Sequence, residues 1–105
     1  MAITNAGVQN FRELIGEDFV IVDFYGTACI PCKVFSRVLE DIEAEIPFLN
    51  LVKLNITDHP GLAAEYGIRA VPTVHFYREG RLVHQHVGVM RPDEIKAVIA
   101  EHMYA

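Results

Sequence analysis

Apolar residues along this chain follow two rhythms, a helical one and a nearly unbroken one, and the alternation between them predicts the elements. Val8, Phe11 and Ile15 recur at helical spacing behind Thr4 or Asn5 as caps, predicting a short first helix. Residues 19–25, Phe-Val-Ile-Val-Asp-Phe-Tyr, are apolar almost throughout, the pattern of a central parallel strand covered on both faces. From Pro31 onward Val34, Phe35, Val38, Leu39, Ile42 and Ile46 form a wide apolar stripe, predicting the longest helix, which ends before Pro47. Residues 51–55 read as a second strand. Asp58 and Pro60 then read as the cap and first-turn proline of a short helix that stops at Gly67. Two strands with a helix between them predict a parallel βαβ unit. Residues 73–77 and 82–87 flank Glu79-Gly80 as the arms of a hairpin. Pro92 opens a last helix that turns Ile95, Val98, Ile99 and Met103 to the sheet and Glu94, Lys96 and Glu101 to water. The order α, β, α, β, α, β, β, α describes an α/β fold with a central mixed β-sheet and helices on both faces. Without repeats, low-complexity stretches or linkers, residues 1–105 read as a single domain.

Composition adds limits. A chain of 105 residues that is 51% apolar has enough material for a real core. Nine basic side chains against fourteen acidic ones, with no basic cluster, argue against nucleic acid as a partner, since phosphate binding depends on grouped Lys and Arg. The first residues, Met-Ala-Ile-Thr-Asn, lack the basic and apolar regions of a signal segment, and Asp23 interrupts the longest apolar run. The expectation is a cytoplasmic protein with no membrane association. Two cysteines only, rather than several spread over loops, agree with a reducing compartment.

Those two cysteines carry the clearest chemistry. Cys29-Ile30-Pro31-Cys32 lies after the apolar strand and at the start of the long helix, where residues i and i+3 approach closely and free backbone N–H groups favour a thiolate. The placement suggests a working disulfide with Cys29 as the reactive sulfur. The same spacing also serves as half of a zinc site, but there is no second cysteine pair. His59, His75, His84, His86 and His102 show no spacing that would complete a tetrahedral set. His84 and His86 alternate on an apparent edge strand and read as a solvated face without a catalytic part. Phe24, Phe35, Phe48 and Phe76 read as core. Asp23 stands among Val20, Ile21, Val22, Phe24 and Tyr25; burial there raises a carboxyl pKa. An ordinary solvent-facing Asp is the alternative, but its flanks do not alternate as that requires.

Over nearly its whole length the chain resembles the thioredoxin family. The resemblance rests on Val22-Asp23-Phe24, Cys29-Ile30-Pro31-Cys32-Lys33, Lys53-Leu54-Asn55, the run Tyr66-Gly67-Ile68-Arg69-Ala70-Val71-Pro72-Thr73, and Val87-Gly88, in this order and spacing. It implies the thioredoxin fold and a thiol–disulfide oxidoreductase that reduces protein disulfides and is restored by a thioredoxin reductase or similar electron donor. No cofactor beyond the cysteine pair is expected. The family's roles, carried onto matching positions, make Cys29 the nucleophile, Cys32 the resolving thiol and Asp23 the proton acceptor for Cys32. Lys53 would pair with Asp23 and tune it, or else be a solvated surface lysine. Pro72 matches a cis proline packed against the cysteine pair, and the Val71 backbone would bond an extended substrate segment by strand addition. Ile30, Pro31, Val71, Pro72, Val87 and Gly88 would form the docking rim.

The chain departs from the family at three places. Ala28 precedes the first cysteine where tryptophan is usual, Ile30 replaces glycine inside the pair, and Arg37 stands where a proline often kinks the helix. These changes leave the exchange chemistry in place and bear on redox potential, partners and reductase recognition, so an atypical member is expected. Two other functions fit a similar frame: a disulfide oxidase or isomerase, and a binding module that holds partners without using its thiols. Neither a His between the cysteines nor a signal segment is there to favour the first. Retention of both cysteines with Asp23 and Pro72 speaks against the second.

Overall fold

A computed structural model describes residues 2–103. Its elements are β1 (Ala2–Asn5), α1 (Phe11–Ile15), β2 (Phe19–Tyr25), α2 (Ile30–Glu45), β3 (Asn50–Asn55), α3 (Pro60–Glu65), β4 (Thr73–Arg78), β5 (Arg81–Val87) and α4 (Pro92–Met103). The five strands form one mixed sheet in the order β1-β3-β2-β4-β5. β1, β3 and β2 run parallel, while β4 lies antiparallel to β2 and β5 antiparallel to β4.

β2 sits at the centre, which explains its unbroken apolar sequence: every residue from Phe19 to Phe24 is buried. Val20, Val22 and Phe24 face Phe11 and Ile15 of α1 and Leu62 and Ala63 of α3. Phe19 and Ile21 face Phe35, Leu39 and Ile42 of α2 and Ile95 and Ile99 of α4. Each buried side chain of this size contributes roughly 1.5–3 kcal/mol, so the two layers hold β2 from both sides. Asp23 shares the α2 face and is the exception in this strand.

The hairpin follows the sequence closely. Glu79 and Gly80 both have positive φ, 52° and 83°, as a two-residue turn matched to strand twist requires. Gly67, at φ 74°, ends α3 by the usual left-handed route, with the Ile68 N–H donating to the Ala63 carbonyl at 2.9 Å.

Several expectations need correction. Thr4 and Asn5 are not helix caps but part of β1, an edge strand paired with β3 in the register Ala2↔Asn50 to Asn5↔Lys53. Four residues of mixed polarity carry too little periodicity to announce a strand. α1 begins only at Phe11, and Val8 lies exposed in the preceding turn, where the Gly7 N–H donates to Asn10 Oδ1. His59, not Asp58, occupies the capping position of α3. Val34 belongs to the predicted buried stripe of α2 yet is 61% exposed. Phe48 is half-buried, set edge-on to Phe19 rather than within the core. His84 is also half-buried: a register shift at Phe76/Tyr77 sets it against the Phe76 ring at 5.5 Å and near His102, while His86 on the same face is exposed.

His75 on β4 is buried on the α1/α3 side, edge-on to Phe24 at 4.8 Å, with Nδ1 3.4 Å from the Tyr77 hydroxyl. Burial pushes its pKa from 6.5 down to about 4. Between those values the unfolded chain binds the extra proton, so this contribution to stability is complete above pH 6.5 and is lost as pH falls through 4. Urea unfolding of wild type and His75→Phe at pH 7 and pH 4 is expected to show wild type losing roughly 2–3 kcal/mol more than the variant on acidification. Equal losses would mean that His75 titrates alike in both states.

Candidate active site

β2 delivers the chain to a short loop, 26–28, and the loop delivers Cys29 to the N-terminus of α2. The loop is braced from the β3–α3 turn. The Thr27 N–H donates to Thr57 Oγ1 at 3.1 Å, Asn55 Nδ2 donates to Thr27 Oγ1 at 3.1 Å, and the Thr57 N–H donates to Asn55 Oδ1 at 2.9 Å. Neither threonine carries a local signal in the sequence, because α2 and β3 lie between them.

Cys29 is extended and caps the helix, its Sγ accepting the Cys32 N–H at 3.2 Å, and a proline in the first turn starts α2 without wasting a donor. The two cysteines form a disulfide with their Cα atoms 5.2 Å apart. The sulfurs differ in access: Cys29 is half-buried and Cys32 is 1% exposed. Among the described residues no group of three or more His, Cys, Asp or Glu side chains is placed to hold a metal ion.

Asp23 is fully buried, and its Oδ2 accepts a hydrogen bond from the Ser36 hydroxyl, while Oδ1 has no hydrogen-bond partner among the described residues. Desolvation raises its pKa from 3.8 to about 6, against the Ser36 bond and the Lys53 charge, which lower it, and with Glu40, which raises it. Lys53 is in register with Asp23 across β2 and β3. Its direct partner, however, is Glu40 of α2, with Nζ 2.8 Å from Oε2, and the ammonium lies 5.4 Å from the Tyr25 ring centre. The expected Asp23–Lys53 pair is therefore corrected to a Lys53–Glu40 pair that acts on Asp23 at longer range. Burial works against the ammonium, but the Glu40 bond and the neighbouring negative charges outweigh it and raise the Lys53 pKa. A pocket of about 250 Å³ lined by Cys32, Ser36, Glu40 and Lys53, among others, opens along this side of α2.

Ser36 joins the site through its bond to Asp23. Its signal was there: a small polar residue one turn after Cys32, between the buried Phe35 and Leu39.

On the other side of the cysteines, the Val71–Pro72 bond is cis. Pro72 is buried, its carbonyl accepts the Gly88 N–H at 2.8 Å, and the Thr73 hydroxyl holds the Ala70 carbonyl at 2.7 Å. Gly26 lies between Val71 and Cys29: a Cβ built there would sit 3.5 Å from Val71 Cγ2 and 3.9 Å from Cys29 Cβ. Gly88 has φ 98°, a conformation that suits glycine. Ile30 is 74% and Val87 66% exposed, and Val34 and Val89 add exposed apolar surface that sequence reading did not include. Arg37 leaves α2 unbroken and makes an exposed ion pair with Asp41.

The Thioredoxin family model matches residues 2–101. The thioredoxin of Chlamydia caviae is 36% identical over 94 residues, covering 90% of this chain and 92% of the relative. That of Bacillus subtilis is 30% identical over 104 residues, covering 98% and 100%. Among solved structures, a mutant thioredoxin from Halobacterium salinarum superposes with a TM-score of 0.86 at 28% identity, covering 96% of this chain and 89% of that one. No helix among the described residues is long and apolar enough to cross a membrane. The chain belongs to the thioredoxin family, thiol–disulfide oxidoreductases that reduce protein disulfides and are themselves reduced by thioredoxin reductase.

Proposed function

We propose that Cys29 attacks and Cys32 resolves, and the difference in exposure between the two sulfurs carries this assignment. In the reduced protein the helix N-terminus and the Cys32 N–H favour a thiolate at Cys29. That thiolate attacks one sulfur of a protein disulfide, the disulfide breaks, and the other substrate sulfur leaves as a thiolate and takes a proton. Cys32 then gives its proton to Asp23 and attacks Cys29 Sγ. The bond to the substrate breaks, the second substrate sulfur leaves as a thiolate and takes a proton, and the Cys29–Cys32 disulfide holds the two-electron oxidation. Asp23 suits the acceptor's part because a carboxyl titrating near 6 takes and returns a proton close to neutrality. Lys53 tunes it through the charge it shares with Glu40.

Substrates dock as an extended segment along the Val71 backbone, beside cis-Pro72, with Ile30, Pro31, Val87 and Gly88 around it. Pro72 is buried, so its part is to shape the backbone, and the apolar contact falls to Ile30, Pro31 and Val87. The electron donor is a thioredoxin reductase or an enzyme like it, and the compartment is the cytoplasm, in keeping with a cysteine complement limited to the working pair.

Equilibration of the pair with glutathione tests this reading. A reductase is expected near roughly −270 mV, whereas a value near about −120 mV marks an oxidant and would overturn it. Ile30→Gly, measured alongside, is expected to shift the potential or the rate of reduction by a thioredoxin reductase, because a 74% exposed branched side chain is removed from the docking rim. Identical values in both proteins would show Ile30 to be neutral.

A further inference from the structure

The buried carboxylate of Asp23 is held from α2, and the holding residue has a chemistry of its own. Cys32, Ser36 and Glu40 follow each other at intervals of four on this helix, so they stack along one face, the face that covers β2. Cys32 carries the thiol to be deprotonated, Ser36 grips Asp23, and Glu40 grips Lys53, which lies in register with Asp23. One turn of helix therefore separates the sulfur from the group that orients its proton acceptor.

We propose that Ser36 is a positioning residue for thiol exchange: its hydroxyl holds Oδ2 of Asp23 and leaves Oδ1 as the atom that receives the Cys32 proton. Three observations carry this. Ser36 is 7% exposed and gives its hydroxyl hydrogen to Asp23 from a buried position. Its bond goes to a single carboxylate oxygen, and the other oxygen, equally buried, has no hydrogen-bond partner among the described residues. An oxygen that accepts no hydrogen bond is the more basic of the two, and a carboxylate held at one end cannot rotate to exchange them freely. The groups that act on Asp23 are Ser36 and Glu40 from α2 and Lys53 from β3, while β4 sets the apolar Val74 opposite it. Among them Ser36 is the direct hydrogen-bond donor, and a bond to the ionised form favours that form.

The proposal rests on Asp23 as the proton acceptor, so its test uses two readouts. The first is the titration of the Asp23 carboxyl carbon by NMR in the oxidised protein. The second is the pH profile of the step in which Cys32 resolves a mixed disulfide preformed on Cys29. Ser36→Ala is expected to move the Asp23 titration upward by about one pH unit and to move the acidic limb of the resolution profile with it, slowing the step several-fold at pH 6. Ser36→Thr keeps the hydroxyl and is expected to return both close to wild type. An Asp23 titration unmoved by Ser36→Ala overturns the proposal. So do equal shifts in the Ala and Thr variants, which would assign the effect to packing instead of the hydroxyl. If the titration moves and the resolution profile does not, Ser36 holds a carboxylate that is not the acceptor. The failure then lies in the role of Asp23, and the Oδ1 assignment falls with it.

Discussion

Cys32→Ser is expected to accumulate partner proteins joined to Cys29 through mixed disulfides, while turnover falls roughly a thousandfold or more. The reason is the division of labour between the sulfurs. Cys29 remains at the helix N-terminus, half-exposed and with a backbone N–H to stabilise its thiolate, so the first attack proceeds. A serine at position 32 cannot displace it. Cys29→Ser is expected to lose turnover to the same extent and trap nothing, because the remaining thiol is 1% exposed and a folded partner cannot reach it. Non-reducing electrophoresis of each variant after incubation with a disulfide-bonded protein, followed by release with a small thiol, makes the comparison. Equal trapping by the two variants would reverse the assignment of nucleophile and resolving thiol.

Asp23→Ala is expected to slow exchange near neutral pH by roughly a hundredfold and yet to stabilise the fold there. The sign follows from the direction of the shift. Burial lifts the carboxyl from 3.8 to about 6, so the unfolded chain releases this proton more readily than the folded one. The contribution of Asp23 to stability is thus fully present below pH 3.8 and is lost as pH rises through 6. A difference of about two units corresponds to about 3 kcal/mol. Relative to wild type, the variant is therefore expected to gain about that much between pH 4 and pH 7, on top of a pH-independent cost for the lost Ser36 bond. Denaturant titrations at the two pH values measure this. A pH-independent difference would show that Asp23 titrates alike in both states, and unchanged exchange rates would remove it from proton transfer.

The opposite senses of Asp23 and His75 are instructive. Both are buried in adjacent strands, on opposite faces of the sheet, and desolvation disfavours the charged form of each. Because one is an acid and the other a base, the same burial penalises Asp23 at high pH and His75 at low pH. Between pH 4 and pH 7 the two contributions therefore oppose each other, and each variant is expected to remove one of them.

Much of the fold could be read from local pattern. Continuous burial of β2 shows in its unbroken apolar run, the hairpin in Glu79-Gly80, and the helix N-terminus in Cys29 through Cys32 with Pro31 between. These are features whose cause lies within a few residues: strand period, positive φ, helix capping. The cysteine pair and the buried carboxylate belong to the same group, since each breaks its local pattern, whereas the part of Pro72 rests on the resemblance to the family.

What the chain alone determined was thus the identity and order of its elements, apart from β1, and the residue types of its chemistry. Tertiary structure decided their partners. β1 exists because β3 offers an unpaired edge, and a four-residue strand cannot be seen without that edge. Lys53 turned to Glu40 because α2 passes over β3 with a carboxylate within reach, which strand register alone does not reveal. Ser36, unremarked in sequence, became part of the site because the same helix lays it against Asp23. Periodicity is a property of one segment, whereas a hydrogen bond or an ion pair is a property of two. Only the packing of α2 on the sheet brings those two together.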